Sequence, residues 1–384
     1  MPDPIAIVGV GETEYVRRGT KRIDELAIEA SLLALADAGI DASEVDGIVT
    51  EAALMPHRVP PDEVAVALGV RDRCFTAHGN VIGAGIVGAP SLAAMAIQSG
   101  KASVVLSYFA ADLGSSAGGP YAFHAEDPLK ASLEMPFGWY GQPTYFASWA
   151  QRYKHEFGLT SRQQAAVAMS ARRHAAHTPG AMKRALFDYD EYLASPMISE
   201  PLRMLDCCLI NDGGTAFVMT SLERARDLPT PPVVVAGCGI GSKNITQSSW
   251  FTQNADYLTT PAIHSAPRAY AEAGLTPDDV DFAEIYDCFT ITTLLQLEDL
   301  GFCAKGEAAS FVEDGRTGPG SAFPVNTHGG LLSHSYMQGA NHVVEAVHQL
   351  RGDRCEGQVA GAEIGLVAGL GVPDHATLLL TVDR

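Results

Sequence analysis

The side chains of this 384-residue chain that could carry out chemistry are concentrated in three segments, 80–89, 285–289 and 326–340. Among the residues of these segments, two tyrosines, Tyr286 and Tyr336, and the histidine His328 are the candidates for this chemistry. A phenol can donate or relay a proton, but its ordinary pKa of about 10 makes it a weak base at neutral pH. It acts as a base only where neighbours lower that pKa or where it belongs to a proton relay. The three segments therefore indicate proton-transfer chemistry.

A pair of histidines elsewhere in the sequence has the spacing of metal ligands. His174 and His177 lie near the end of a helix predicted from Ser161 to His177, whose first residue begins a capping box. Their neighbours are arginines and alanines, and no carboxylate or cysteine lies close in sequence. We interpret both as exposed surface residues, and we predict no metal site in the chain.

Composition narrows the class of protein. Hydrophobic residues make up 47% of the chain and charged residues 18%, which is typical of a globular protein with a large core. A net charge of −19 argues against nucleic acid as a partner, because phosphate binding needs a basic surface. No apolar run approaches the roughly 20 residues of a membrane span, and no targeting signal opens the sequence. The seven cysteines contain no C-x-x-C pattern, so we expect a cytoplasmic protein with reduced thiols and no membrane association.

An internal repeat divides the chain into two halves. Residues 5–11, 34–46 and 78–100 return in the same order as residues 233–239, 269–281 and 328–352. Because the repeat is so long, it indicates two duplicated half-domains rather than a solenoid. We predict one half over residues 1–228 and the other over 229–384. Residues from about 110 to 199 have no counterpart in the second half, and they are predicted to form an inserted loop or lid domain rich in aromatic side chains.

The first half reads as alternating strands and helices. Ile5 to Val10 predicts a strand, and Ile23 to Ala38 predicts a helix ended by Gly39 in a left-handed conformation. Residues 84–97 are small and apolar all round, which predicts a fully buried helix. Because of Pro90, either this helix starts near Ala89, which leaves Pro90 in its first turn, or it kinks.

Several motifs make the chain resemble the thiolase superfamily, specifically its sterol-carrier-type branch. They are Asp212-Gly213-Gly214-Thr215-Ala216, Tyr286-Asp287-Cys288-Phe289, and Asn326-Thr327-His328-Gly329-Gly330 followed by Gly339-Ala340. The resemblance covers essentially the whole chain. It implies an α/β fold, a duplicated five-layered α-β-α-β-α sandwich, that acts on acyl-CoA thioesters. It also implies a homodimer, for which we expect the buried helices and a predicted strand from Ser103 to Tyr108 to be responsible.

The positions that carry thiolase chemistry are replaced. The nucleophilic cysteine of the family lies seventeen residues before the glycine that ends the buried helix, and counting back from Gly100 gives Gly83. The activating histidine, six residues past the Gly-Gly pair, corresponds to Tyr336, and the second cysteine corresponds to Val367. The histidine of the His-Asp-Cys-Phe motif is Tyr286. Thiolysis through an acyl-enzyme needs a thiolate and a base, so this chain is not expected to be a working thiolase.

With tyrosines at positions 286 and 336, the chain is similar to the bacterial lipid-transfer-protein-like aldolases of steroid side-chain catabolism. That resemblance implies cleavage of a β-hydroxyacyl-CoA into a carbonyl compound and a shorter acyl-CoA, with a small zinc-ribbon/OB-fold partner protein. Retro-aldol cleavage needs a base for the β-hydroxyl and donors for the developing enolate, but no nucleophile. We assign Tyr336 as the base, Tyr286 as its hydrogen-bonding partner and His328 as a donor to the enolate oxygen.

The remaining predicted site residues would bind substrate. Gly83 is interpreted as space for a bulky acyl group, and Asp287, Gly330 and Gly339 complete the predicted set. Coenzyme A enters only as part of the substrate, and no cofactor is predicted in this chain. Two other functions stay open at this point, a non-catalytic acyl-CoA or lipid carrier and an acyltransferase subunit that depends on a partner. The sequence does not identify the acyl chain, because specificity is expected to lie in the aromatic insertion.

Overall fold

The structure is a computed structural model that describes residues 3–52, 59–116, 128–246, 250–354 and 356–383. Its strands are β1 (Ile5–Glu12), β2 (Gly47–Ala52), β3 (Phe75–Val81), β4 (Val104–Asp112), β5 (Met197–Ser199), β6 (Leu202–Arg203), β7 (Asp212–Ser221), β8 (Val233–Ser242), β9 (Phe282–Ile285), β10 (Ile364–Leu370) and β11 (Asp374–Val382).

The helices of the described residues are α1 (Ile23–Ala38), α2 (Pro61–Leu68), α3 (Gly83–Val87), α4 (Ala89–Gln98), α5 (Gln142–Phe157), α6 (Ser161–Ala176), α7 (Tyr189–Ala194), α8 (Leu222–Ala225), α9 (Trp250–Gln253), α10 (Ala262–Ala273), α11 (Thr290–Asp299), α12 (Ala308–Glu313), α13 (Gly330–Ser333) and α14 (Ala340–Arg351). None of them combines the length and the apolar character needed to cross a membrane.

The strand order repeats between the two halves of the chain. The main sheet runs β3-β2-β4-β7-β1-β8-β11-β10-β9. In the first half β1 pairs antiparallel with β7, β7 antiparallel with β4, and β4 parallel with β2. The second half repeats this pattern, since β8 pairs antiparallel with β11, β11 antiparallel with β10, and β10 parallel with β9. A short antiparallel ladder between β1 and β8 joins the halves, while the predicted boundary at residues 228 and 229 stays a prediction.

The hydrophobic core confirms the predicted five-layered sandwich. One cluster joins α1 and α2 to one face of β1, β2, β4 and β7. A second cluster lies between the two half-sheets and contains α3, α4 and α14. The third joins α10, α11 and the insertion helices α5 and α6 to the outer face of β9, β10 and β11. Each half-sheet is therefore covered by helices on both faces, which removes its apolar side chains from water.

The long helix predicted over residues 84–97 is divided in two. It breaks at Gly88 into α3 and α4, and Pro90 lies in the first turn of α4, where its missing N–H costs nothing. Met95 is 57% exposed, so the prediction that this segment is buried all round was wrong. The helix α1 ends as predicted, with Gly39 at a φ of +66°.

The insertion packs against the second half of the chain. Its helix α6 begins at Ser161 as predicted, but the capping box begins one residue earlier than predicted, with Thr160 and Gln163. The same helix buries His174, which is 3% exposed and places Nε2 2.9 Å from the backbone oxygen of Thr317. The interpretation of His174 as a surface residue was therefore wrong, since this face of α6 packs on α12 and α13. Part of the predicted insertion, residues 117–127, lies outside the described residues.

The strand that we expected to form the homodimer lies inside the sheet. Residues Ser103 to Tyr108 fall largely in β4, which pairs with β2 on one side and β7 on the other. The backbone N–H and C=O groups of β4 are therefore engaged within the sheet and are not available to pair with a second copy of the chain. In the described part of the sheet, the outermost strand of the first half is β3.

Candidate active site

The two predicted tyrosines meet in the structure although 50 residues separate them. Tyr286 directly follows β9, and Tyr336 lies between α13 and α14. Their hydroxyl oxygens are 3.0 Å apart, a hydrogen-bond distance. The backbone fixes both residues, because Tyr286 N donates to Ala368 O at 3.1 Å and Tyr336 N donates to Asn211 Oδ1 at 2.6 Å. We call Tyr286 and Tyr336 the phenol pair.

Burial keeps the phenol pair protonated. Removal from water raises the pKa of Tyr286 well above its usual value, and the neighbouring Tyr336 and Cys288 raise it further. Burial likewise raises the pKa of Tyr336, and the charges of Cys208 and Glu51 add to this effect, while the hydrogen bond with Tyr286 opposes it. Neither environment produces the lowered pKa that a phenolate base requires. The pair is therefore suited to relaying protons between neutral hydroxyls.

An aromatic ring fills the space beside Gly83, the position predicted for the thiolase nucleophile. A Cβ atom added at Gly83 would lie 2.5 Å from Cε2 and 2.6 Å from Cδ2 of Tyr286. The interpretation of Gly83 as space for an acyl group was therefore wrong, because the ring of Tyr286 already occupies that space. Gly339 borders the same ring and has a φ of +92°, which favours glycine.

Asp287 and Gly330 shape the turn that leads to Tyr336. The Asp287 carboxylate accepts hydrogen bonds from the backbone N–H groups of Leu331 at 2.7 Å and Leu332 at 3.4 Å, at the start of α13. Gly330 has a φ of +62°, and a Cβ there would overlap this carboxylate. Asp287 is completely buried. Direct contact of Asp287, Gly330 or Gly339 with substrate stays a prediction.

His328 belongs to a separate buried network. Its Nδ1 lies 3.0 Å from Glu284 Oε2, and its Nε2 lies 3.1 Å from Asn341 Nδ2 and 3.4 Å from His342 Nδ1. Burial lowers the pKa of His328 well below its usual value, so the ring is neutral. Because both ring nitrogens face these side chains, the structure does not bring His328 to the phenol pair as a donor.

Glu284 is the carboxyl group at the centre of this network. Its Oε1 accepts from the Thr327 hydroxyl at 2.7 Å, and that hydroxyl also lies 2.6 Å from Glu345 Oε1. One hydroxyl proton cannot serve two carboxylates, so one carboxyl must carry a proton of its own. Burial raises the pKa of Glu284 to about 7, so this carboxyl carries a proton in part of the molecules near neutrality.

The same network has an arrangement that could hold a metal ion. Ligand atoms of Glu284, His328 and His342 lie within 4.8 Å of one another, and all three side chains are buried. Glu284 Oε2 and His328 Nδ1 are 3.0 Å apart, but neither atom has a hydrogen-bond partner among the described residues. The side chains present would fit a metal ion, and the absence of a metal site stays a prediction.

Sequence reasoning missed three residues around the phenol pair. Asn211 is completely buried, and its Nδ2 has no hydrogen-bond partner among the described residues. Gln338 has a φ of +51°, a backbone conformation that non-glycine residues adopt rarely and mostly at functional sites. Glu51, at the end of β2, is 8% exposed. None of the three carries a local sequence signal, because each reaches the site through tertiary contacts.

Comparisons with known proteins agree with this geometry. Residues 244–381 match the family described as thiolase C-terminal domain-like. The chain is 36% identical to a steroid side-chain-cleaving aldolase of Thermomonospora curvata, over 100% of this chain and 99% of the relative. It is 38% identical to the 17-hydroxy-3-oxo-4-pregnene-20-carboxyl-CoA lyase of Mycobacterium tuberculosis, over 97% of this chain and 98% of the relative.

A solved structure is also similar over its full length. The structure titled Ltp2-ChsH2(DUF35) aldolase superimposes with a TM-score of 0.92 at 37% identity, and the match covers 100% of this chain and 99% of that one. The relationship predicted from the tyrosine replacements is thus confirmed. The chain belongs to the thiolase superfamily, in the family of the steroid side-chain-cleaving aldolases.

Proposed function

We propose that this chain is a retro-aldolase that cleaves a β-hydroxyacyl-CoA into a ketone or aldehyde and a shorter acyl-CoA, without a covalent intermediate. The observation that carries the proposal is the hydrogen-bonded phenol pair, in which the ring of Tyr286 occupies the place where a thiolase keeps its cysteine. Neutral phenols are weak nucleophiles, but they can move protons. The aldolase and lyase names of the two relatives support the same reaction class.

The enzyme carries the same number of protons before and after the proposed reaction. The β-hydroxyl loses its proton toward Tyr336, the oxygen electrons form the carbonyl, and the electrons of the broken carbon–carbon bond form the thioester enolate. The enolate carbon then takes a proton returned through the phenol pair. Two hydroxyls 3.0 Å apart suit this exchange, because each can accept and donate at the same time.

A donor to the enolate oxygen is also required. We propose Asn211 in place of His328 for this role. Its Oδ1 accepts from the backbone N–H of Tyr336, which places the amide beside the phenol pair, and its Nδ2 is buried with no partner in the part of the chain that the structure describes. A buried N–H group without an acceptor is energetically unfavourable unless a bound ligand accepts its hydrogen bond.

The substrate class that we propose is a steroid acyl-CoA. In the compound named for the Mycobacterium tuberculosis relative, the 17-hydroxyl is β to the thioester carbonyl attached at carbon 20. Retro-aldol cleavage between carbons 17 and 20 would release a 17-ketosteroid and propionyl-CoA. Coenzyme A is then part of the substrate, and the chain needs no cofactor of its own.

We propose a homodimer that also binds a small zinc-ribbon/OB-fold protein. The support for such a partner is the solved structure of a similar aldolase, whose title pairs Ltp2 with ChsH2(DUF35). For the homodimer we propose β3 as the contact strand, because its outer backbone groups are unpaired in the described sheet. We expect a heterotetramer, and light scattering of the co-expressed proteins would contradict it if the mass stayed that of one homodimer.

The decisive experiment incubates the chain and its partner with 17-hydroxy-3-oxo-4-pregnene-20-carboxyl-CoA and follows the products by mass spectrometry. We expect the 17-ketone and propionyl-CoA in equal amounts. A carrier would return the thioester intact, and a partner-dependent acyltransferase would pass the acyl group to an acceptor. An acyl adduct on any cysteine during turnover would contradict the non-covalent reaction.

A further inference from the structure

Three buried side chains from separate segments lie together close to the phenol pair. Glu284 belongs to β9, His328 to the loop before α13, and His342 to the first turn of α14. None of the three is more than 1% exposed, and each offers a ligand atom within 4.8 Å of the others. Two imidazoles and one carboxylate form a ligand set that proteins use for zinc.

The facing atoms of this cluster have the spacing of metal ligands. Glu284 Oε2 lies 3.0 Å from His328 Nδ1 and 3.8 Å from His342 Nδ1. Zinc bonds of about 2.0–2.1 Å in a tetrahedral site place neighbouring ligand atoms about 3.3–3.4 Å apart, a value between these two distances. Glu284 Oε2 and His328 Nδ1 are also buried with no hydrogen-bond partner among the described residues. Such atoms are rare in folded proteins, and a bound ion is one of the few explanations for them.

The remaining atoms of two of these side chains are already held in place. Glu284 Oε1 accepts hydrogen bonds from Thr327 N at 2.9 Å and from the Thr327 hydroxyl at 2.7 Å, which leaves Oε2 for an ion. His342 Nε2 lies 3.4 Å from Asp287 Oδ1, which leaves Nδ1 for an ion. A carboxylate behind a ligating histidine is the usual arrangement in metal sites, because it orients the ring and fixes its tautomer.

The third side chain requires one amide to turn. Coordination through His328 Nδ1 places the ring proton on Nε2. Asn341 Nδ2 now lies 3.1 Å from Nε2, while Asn341 Oδ1 is buried and has no partner in the described part of the chain. Turning the amide brings its oxygen to Nε2 and gives up the hydrogen bond from Asn341 Nδ2 to Ser335 O. The turn keeps the shape of the side chain, because amide nitrogen and oxygen are nearly alike in size.

The charges around the cluster favour a cation. Glu284 and Asp287 are completely buried, and no Lys or Arg of the described residues forms an ion pair with either. Arg354 is already paired with Glu345, at 2.6 Å. Buried carboxylates are paired with positive charge or coordinate metals in most proteins. A divalent ion would balance both carboxylates at once.

We propose that Glu284 Oε2, His328 Nδ1 and His342 Nδ1 bind one zinc ion, with water as the fourth ligand, in place of the metal-free chain predicted from the sequence. The inference goes beyond the proposed function and does not depend on it. Tyr286 directly follows β9, and Tyr336 lies between α13 and α14. The ion joins the segments on both sides of these tyrosines, so its role is to hold the phenol pair in position and not to take part in the reaction.

The test measures the zinc content of the untagged chain, expressed without its partner because the proposed partner carries zinc of its own. We expect one zinc ion per chain by mass spectrometry of the digested protein. Glu284→Gln should bind zinc about tenfold more weakly or worse, because the amide lacks the charge of the carboxylate. His375→Asn is the control, since it also removes a completely buried titratable side chain and should keep the zinc of the parent. A chelator should lower the melting temperature of the parent, and added zinc should restore it.

The outcomes decide the proposal without any measurement of steroid cleavage. A parent chain that contains no zinc, and takes up none when zinc sulfate is titrated into chelator-treated protein, overturns it. Zinc held equally by the parent and by Glu284→Gln also overturns it, because the ion is then bound elsewhere. Should Glu284→Gln fail to fold, anomalous scattering at the zinc edge from crystals of the parent decides. We expect a peak between Glu284 and His342, and the absence of a peak there overturns the proposal.

Discussion

Gly83 and Tyr286 share one space, because the Tyr286 ring lies where any side chain at position 83 would begin. A side chain at Gly83 and a ring at Tyr286 therefore exclude each other, and a change to either residue alone gives a collision or a cavity. Position 83, which the sequence predicts as that of the thiolase nucleophile, therefore has room either for a side chain of its own or for the Tyr286 ring, but not for both.

The first prediction is that Gly83→Ala destabilises the protein. The added Cβ would lie 2.5 Å from the Tyr286 ring, and such overpacking typically costs about 1–3 kcal/mol. Urea unfolding measures this cost. The matched control is Gly318→Ala, because its Cβ would have its nearest contact at 3.6 Å and should change the free energy of unfolding by less than about 0.5 kcal/mol. Equal effects at both glycines would contradict the shared space.

A second prediction concerns Tyr336→Phe, which removes one hydroxyl and keeps the ring. Stability should fall by only about 1 kcal/mol, the net value of one hydrogen bond. The cleavage rate should fall about 10²–10⁴-fold, because the relay loses the group that takes the β-hydroxyl proton. Tyr270→Phe is the control, since it removes a buried hydroxyl bonded to Leu300 O at 3.2 Å and leaves the phenol pair intact. A folded Tyr336→Phe enzyme with a rate within a few-fold of the parent would refute the role.

Local signals in the sequence were sufficient for much of the fold. Gly39 ends α1 because only the left-handed conformation closes that helix, and the duplication predicted the repeated strand order. Pro90 predicted a helix start near Ala89 as one of two alternatives, and α4 begins there. The short helix α3 before it was not predicted, because a run of small apolar residues has no periodicity that marks a helix end.

The site could be predicted only at positions where the type of the residue indicates the chemistry it can perform. The two tyrosines stood at informative positions, and they meet in the structure. The surroundings of Gly83 and His328 are set by side chains from distant segments, so a missing side chain was taken for empty space and a buried histidine for a free donor. Glu51 is one acidic residue among the 45 in the chain until the fold buries it beside Gln338.

The third prediction concerns acid stability. Burial lowers the pKa of His375 to about 3, whereas an unfolded histidine has a pKa of about 6.5. Between these values the unfolded chain binds the proton and the folded chain does not, so stability falls as the pH drops below 6.5. Relative to His375→Asn, the parent should lose about 1.4 kcal/mol for each pH unit between 6 and 4, measured by urea unfolding. The exposed His155→Asn should follow the parent, and parallel curves for parent and His375→Asn would contradict the assignment.

The last prediction tests Asn211 as the donor to the enolate oxygen. Asn211→Asp keeps the shape and the oxygen that accepts from Tyr336 N, but it loses the Nδ2 donor and places negative charge where the enolate develops. At pH 8 we expect kcat to fall about 10²–10³-fold, the usual effect of removing one such donor. Asn254→Asp is a matched control, because Asn254 Nδ2 is also buried without a partner among the described residues, and its Oδ1 also accepts a backbone hydrogen bond, from Asp256 N at 3.2 Å. The control carries the same chemical change in a segment that supplies no group to the phenol pair, so its kcat should stay within threefold of the parent. If both variants slow the reaction equally, the loss reflects a general cost of burying charge, and Asn211 has no special part in stabilising the enolate.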